Sequence, residues 1–217
     1  MENGLPLRVD LHLTRLATSV ERLYGRTIPT DLGDGVRSTA HACGAQAALR
    51  VTATPQEDGD LRIATESREL PARSTPIELR PVTVRGGLGP HKLRDRRSID
   101  ELSAAPGTPL ILDEDGAVLE AAWGNLFVLK EGGWATPDCD GRLLPGITRG
   151  ALIGALERAG RQVALRRLAL DQMLDADAIL LTSALAPVTW AALPGWAGSR
   201  AFAADLAEQF ARELLAA

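Results

Sequence analysis

From Ile77 to Thr136 the chain is cut by Gly, Pro and Asp into apolar runs too short for helices and of the right length for strands. Ile77–Val84 alternates like a strand, and Gly86, Gly87, Gly89 and Pro90 then form a flexible loop leading into His91 and Lys92. After a short helix over Ser98–Ser103 come Pro109–Leu112, an Asp113–Gly116 turn, Ala117–Ala121 and Asn125–Lys130. Glu131, Gly132 and Gly133 turn the chain into Trp134–Thr136. This texture predicts a meander of short strands.

The flanking segments read differently. Leu13, Leu16, Val20 and Leu23 recur at helical spacing and predict a helix over Val9–Tyr24, stopped by Gly25. A second helix is predicted from Thr30 or Asp31 toward Ala48. Leu49–Thr54 and Leu61–Thr65 read as strands paired around a turn at Glu57–Asp60, and Glu69–Pro76, with Pro71 and Pro76, as a linker. Beyond the meander, Gly146–Ala159 reads as an amphipathic helix with Ile147, Leu152, Ile153 and Leu156 on its apolar side and Gly160 closing it. Gln162–Leu165 and Ala178–Thr182 read as strands, and about Ala201–Leu215 as a last helix. The fold class is therefore α+β, in two domains: a small α/β domain over residues 1–74 and a larger one over 75–217.

Bulk properties exclude several function classes. A length of 217 residues suffices for one large or two modest domains. The formal net charge is −4 with Lys and Arg dispersed, which gives no electrostatic footprint for nucleic acid. The one basic knot, Arg94, Arg96 and Arg97, is interrupted by Asp95 and reads as a solvated helix face. Cys43 and Cys139 make no disulfide framework, and His12, His41 and His91 stand too far apart for a metal-ligand pattern, so no metal is expected. Ala178–Ser199 holds no charged residue, but Thr182, Ser183, Pro187, Thr189, Pro194, Gly195 and Gly198 break it up. It reads as a short buried strand followed by a loop, with no membrane span expected. With no leader-like stretch after Met1, the expected location is cytoplasmic.

Singly, the chemistry-bearing residues are bland: Lys92 reads as a solvated charge, Glu120 as a sheet-edge residue and Thr148 as a helix start. Their order is not. Val118-Leu119-Glu120-Ala121-Ala122-Trp123-Gly124-Asn125-Leu126-Phe127 is followed by Thr136-Pro137 and then by Leu144-Pro145-Gly146-Ile147-Thr148-Arg149. Upstream stand His12-Leu13-Thr14-Arg15-Leu16 and His91-Lys92-Leu93, and downstream Ser183-Ala184-Leu185-Ala186-Pro187-Val188. In this order the motifs resemble the class-IV aminotransferases, the fold-type IV pyridoxal-phosphate enzymes, from about Leu5 to the C-terminus. The last segment is similar to that of the 4-amino-4-deoxychorismate lyase branch.

The resemblance implies a barrel-like core in the larger, cofactor-binding domain, pyridoxal 5′-phosphate as cofactor, a small-molecule amino substrate and a homodimer. It implies that Lys92 carries the cofactor as a Schiff base and then shuttles protons as a free amine, and that Glu120 keeps the pyridine nitrogen protonated. It implies a phosphate site at the backbone amides of Ile147 and Thr148 and the Thr148 hydroxyl, opened by a sharp turn at Gly146. Arg15 is implied as a fork of donors from the other domain, Leu144 as packing against the ring, and Ser183 with the Ala184 amide as completing the cradle.

Departures from the family's pattern shape the functional expectation. The family's opening strands, with a Gly-Asp-Gly-x-Phe-Glu-Thr-like segment, precede the His-x-x-Arg-Leu helix, and this chain is expected to lack them, with a shortened N-terminus. Pro55-Gln56-Glu57 stands where relatives often place a basic residue and a Gly-rich loop, and Ala184 where many have a threonine. Tyr24 is the only tyrosine, which weighs against a branched-chain pocket built from several aromatic residues. The leading expectation is a lyase that releases pyruvate and leaves 4-aminobenzoate. The alternatives are an aminotransferase for branched-chain or D-amino acids, and a cofactor-binding relative with little activity.

Overall fold

The computed structural model describes residues 7–43, 47–70 and 75–216. The chain forms two compact units, Met1–Ala72 and Arg73–Ala217. In the first, α1 (Val9–Tyr24) ends on Gly25, whose left-handed φ of 62° lets its N–H donate to the Glu21 carbonyl at 2.8 Å. Helix α2 (Leu32–Cys43) is shorter than the spacing predicts, because Ala47 and Ala48 already belong to β1 (Ala47–Pro55). Strand β1 pairs antiparallel with β2 (Leu61–Glu69), and the tight connection is closed by Gln56 N–H donating to the Asp60 carbonyl at 2.9 Å. The middle of the predicted linker lies outside the described residues. Two helices and a two-stranded sheet bury little: of the expected apolar positions on α1 only Val20 is fully buried, and Leu23 is exposed.

The second unit is built on one mixed sheet. Its strands are β3 (Ile77–Thr83), β4 (Thr108–Leu112), β5 (Val118–Ala121), β6 (Asn125–Lys130), β7 (Gly133–Thr136), β8 (Val163–Leu165), β9 (Ala178–Thr182) and β10 (Thr189–Ala192), in the order β5-β4-β3-β10-β9-β6-β7-β8. Three neighbouring pairs are parallel (β3 with β4, β3 with β10, β7 with β8) and the rest antiparallel. The sheet curls until its ends meet: Val118 N–H on β5 donates at 2.9 Å to the carbonyl of Leu168, three residues past β8. The expected barrel-like core is thus present as a curled eight-stranded sheet.

Burial on both faces explains the unbroken apolar runs. Along β6 and β9, Phe127, Leu129 and Leu180 join Leu152, Leu156 and Phe210, while Leu126, Val128, Ile179 and Leu181 join Leu110, Val118 and Met173. The first group packs against α4 (Ile147–Arg158) and α6 (Arg200–Ala216), where Trp134 meets the edge of Phe210 at 5.6 Å between ring centroids. Two elements depart from expectation. Thr189–Ala192 is a strand, not loop, and is held between β3 and β9. A short helix, α5 (Leu170–Leu174), precedes β9. The remaining helix, α3 (Arg97–Ser103), starts one residue earlier than its predicted position.

Candidate active site

The site is assembled around Glu120 on β5. Ala121 and Gly124 close a tight reversal, with Ala121 N–H donating to Gly124 O at 2.9 Å and Gly124 N–H to Ala121 O at 3.2 Å. Gly124 is required by space, since a Cβ there would lie 2.8 Å from the Thr182 carbonyl. This reversal brings Asn125 opposite Glu120. Leu144 N–H donates to Glu120 Oε1 at 3.1 Å, and Asn125 Nδ2 donates to the Leu144 carbonyl at 2.8 Å and lies 3.4 Å from Glu120 Oε2. The Leu144 backbone is therefore strapped across the carboxyl group by both of its polar atoms.

Glu120 is 4% exposed. Burial pushes its carboxyl up to about 7, against the downward pull of the Leu144 amide and of the charges on Lys92 and Arg96. It is a carboxyl group near its midpoint at neutral pH, with lone pairs left over for one further strong donor.

Gly146 caps α4 and differs in role from its expectation. Its φ of −70° and ψ of 134° are open to any residue, so no left-handed turn requires it. What requires it is Asn125: a Cβ on Gly146 would sit 2.0 Å from Asn125 Oδ1. Helix α4 has no side-chain cap and no acidic residue in its first turn, which leaves its leading amides without a side-chain acceptor. Its buried stripe is Thr148, Arg149, Leu152, Ala155 and Leu156, so the predicted apolar face is led by two polar residues, and Ile147 and Ile153 are only half-buried. Arg149 reaches back to the end of β7, donating from Nη2 to the Pro137 carbonyl at 2.8 Å and from Nε to Thr136 Oγ1 at 3.2 Å. The Thr-Pro and Thr-Arg pairs of the sequence are joined in this way.

Lys92 is exposed, at the end of a loop in which Gly86, Gly87 and Gly89 have φ of 69°, 69° and 78°. Its nearness to Glu120 shows in the downward pull of its charge on that carboxyl. The chain has only one other lysine, Lys130. That amine donates to the Asp175 carbonyl at 2.9 Å and lies 3.2 Å from the Asp175 carboxylate, which raises its pKa and keeps it charged. Counting lysines in the sequence narrows the choice to Lys92 and Lys130 without any motif.

The other expected residues fall in different places. Ser183 follows β9, next to the position a Cβ on Gly124 would take. Its hydroxyl is spent on its own turn, donating to the Ala186 carbonyl at 3.2 Å and accepting from Ala186 N–H at 3.1 Å. Ala184 is exposed, and Arg15 is a half-buried residue of α1 in the first unit. The basic knot is not a helix face: only Arg97 belongs to α3, and it is paired with Asp95 at 2.5 Å. Arg96 is half-buried and donates to the Ala122 carbonyl at 3.0 Å, beside Glu120. Asn125 and Arg149, quoted in the motif without a role, prove to hold the site together. Among the described residues no helix is long and apolar enough to cross a membrane.

Comparison with known proteins agrees with this geometry. The family model described as amino-transferase class IV matches residues 95–192. Branched-chain-amino-acid aminotransferase 3, chloroplastic, of Arabidopsis thaliana is 38% identical over 58 residues, which cover 27% of this chain and 14% of that enzyme. Among solved structures, a hypothetical aminotransferase from Mycobacterium tuberculosis in its PLP-bound form superposes with a TM-score of 0.82 at 22% identity, over 99% of this chain and 84% of that one. The 4-amino-4-deoxychorismate lyase from Pseudomonas aeruginosa does so with a TM-score of 0.82 at 20% identity, over 98% and 87%. At these identities the structural likenesses establish the fold. The segment matched by the amino-transferase class IV model contains Glu120, the strap and the start of α4. The cofactor of that family is pyridoxal phosphate.

Proposed function

We propose that this chain is a pyridoxal-phosphate enzyme acting on a small substrate that bears a primary amine, with Lys92 as the residue that attaches the cofactor. The observation that carries the reading is a buried carboxyl group that feels the charge of Lys92 and is bonded to the Leu144 amide, just ahead of a helix start with no side-chain cap. When bound, the cofactor supplies an electron sink that stabilises negative charge at the substrate's Cα. Everything else falls to the chain. Lys92 would be the residue that holds the cofactor covalently, and its amine would take or give the proton at the substrate's Cα. Glu120 accepts a hydrogen bond from the ring nitrogen, and the positive charge of that donor draws the raised carboxyl back to its ionised form. The amides of Ile147 and Thr148, with the Thr148 hydroxyl, would hold the phosphate. Leu144 packs against the ring while its backbone keeps Glu120 in place. Ser183 shapes the turn that presents the Ala184 amide.

For the reaction itself, the Ser183–Val188 segment favours the lyase: Lys92 would take the proton from the amine-bearing carbon and the enolpyruvyl C–O bond would break, the released enolpyruvate taking up a proton to become pyruvate and leaving 4-aminobenzoate. The second reading, transamination, is favoured by the 38% identity to a branched-chain aminotransferase. It would differ only in the atom to which Lys92 returns that proton. Protein loaded with cofactor is tested on 4-amino-4-deoxychorismate with pyruvate as readout, and on amino donors with 2-oxoglutarate. Pyruvate release that is lost in Lys92→Ala supports the lyase, and amino transfer lost in the same variant supports the second reading. Silence in both assays contradicts both and leaves a cofactor-binding protein with little turnover. Homodimerisation, a further part of the proposal, is read by light scattering.

A further inference from the structure

The loop that ends on Lys92 is fixed from outside itself by two residues far along the chain. Gly86 N–H donates to Asp113 Oδ1 at 2.9 Å, and Gly89 N–H donates to the Arg142 carbonyl at 3.1 Å. Between them Gly87 lies so close to the Arg142 carbonyl that a Cβ would come within 2.1 Å of it. Asp113 and Arg142 are themselves joined, Nη1 to Oδ2, at 2.9 Å. Arg142 is held further by Asp140 at 2.6 Å and Asp115 at 3.5 Å. Two residues after Arg142 comes Leu144, whose N–H donates to Glu120. One arginine therefore anchors the lysine loop through its carbonyl, and its main chain runs directly into the strap over the carboxyl group.

The geometry points to the Asp113–Arg142 pair as the positioning device that sets where Lys92 stands relative to Glu120. This rests on the roles proposed for those two residues. Neither Asp113 nor Arg142 reaches the reacting atoms, so both are positioning residues. The side chains of the pair are 29% and 15% exposed, so a loss of placement is told from a loss of folding by whether β6 and β9 keep their protection. A small displacement of a catalytic amine is enough to matter, since reaction depends steeply on the approach geometry.

The test compares wild type with Arg142→Met, Arg142→Lys and Asp113→Asn after incubation with pyridoxal phosphate. Three quantities are read: the cofactor's dissociation constant, the pH midpoint of the absorbance of lysine-bound cofactor, and hydrogen exchange at Gly86, Gly89 and Leu144 in cofactor-free protein. Arg142→Met is expected to speed exchange at all three amides while β6 and β9 stay protected, to weaken cofactor binding roughly tenfold or more, and to move the pH midpoint. Arg142→Lys, which keeps the charge, is expected to recover part of each. If Arg142→Met does not fold, the isosteric Asp113→Asn carries the same three readouts. A midpoint and affinity equal to wild type in folded variants overturns the inference. Wild type that takes up no cofactor at Lys92 overturns the proposed function beneath it and, with it, this inference.

Discussion

Glu120 is costly for the chain to keep. Its folded pKa of about 7 lies above the ordinary 4.5, so the folded state holds the proton more tightly than the unfolded one. That stabilisation is complete below about 4.5 and is lost as pH rises through about 7, an effect of up to about 3 kcal/mol. Urea unfolding of cofactor-free Glu120→Gln is therefore expected to show a shallower fall in stability between pH 5 and pH 8 than wild type, with the variant the more stable at pH 8. Parallel curves contradict the assignment. The order of motifs made Glu120 and Lys92 legible as candidates from sequence. The protonation of Glu120 was not legible, because it follows from burial that only the folded sheet supplies, and the Leu144 amide that opposes it lies 24 residues away in sequence. Nor did spacing show that Lys130 is tied up by Asp175.

At the level of elements, periodicity worked wherever one segment carried its own signal. Strand β6 and helix α1 were legible because their apolar runs and stops are local. Strand β10 was not, since its four residues are bounded by proline-bearing turns and owe their extended form to pairing with β3 and β9. Helix α4 buries Leu152 and Leu156 as its spacing predicts, but Arg149 is also buried, by hydrogen bonds to Thr136 and Pro137 that no hydrophobic pattern reveals. The helix start was also legible, but the reason for its glycine was not. Since a Cβ on Gly146 would press on Asn125 Oδ1, Gly146→Ala is expected to displace the Asn125 side chain and its bond to Leu144. The expected loss is about 1–3 kcal/mol in chemical denaturation. A loss under about 0.5 kcal/mol would mean that Asn125 moves aside freely and that the strap is softer than described.

Across the whole molecule, the curled sheet is what brings distant motifs together. Glu120, Asn125, Leu144 and the start of α4 are consecutive in the matched family segment, yet they meet only because the reversal at Gly124 folds one strand end against another. The relatives that share this segment do so over a minor part of their own length, and the solved neighbours share the fold at low identity. The fold therefore stands ahead of any one reaction, and the attachment of the cofactor is the claim on which the rest depends. It is tested by incubating the protein with pyridoxal phosphate, reducing with borohydride and mapping the added mass on peptides, in a chain with only two lysines to choose between. The account predicts one adduct per chain, on the peptide containing Lys92, and none in Lys92→Ala. An adduct on Lys130, or no adduct at all, contradicts it.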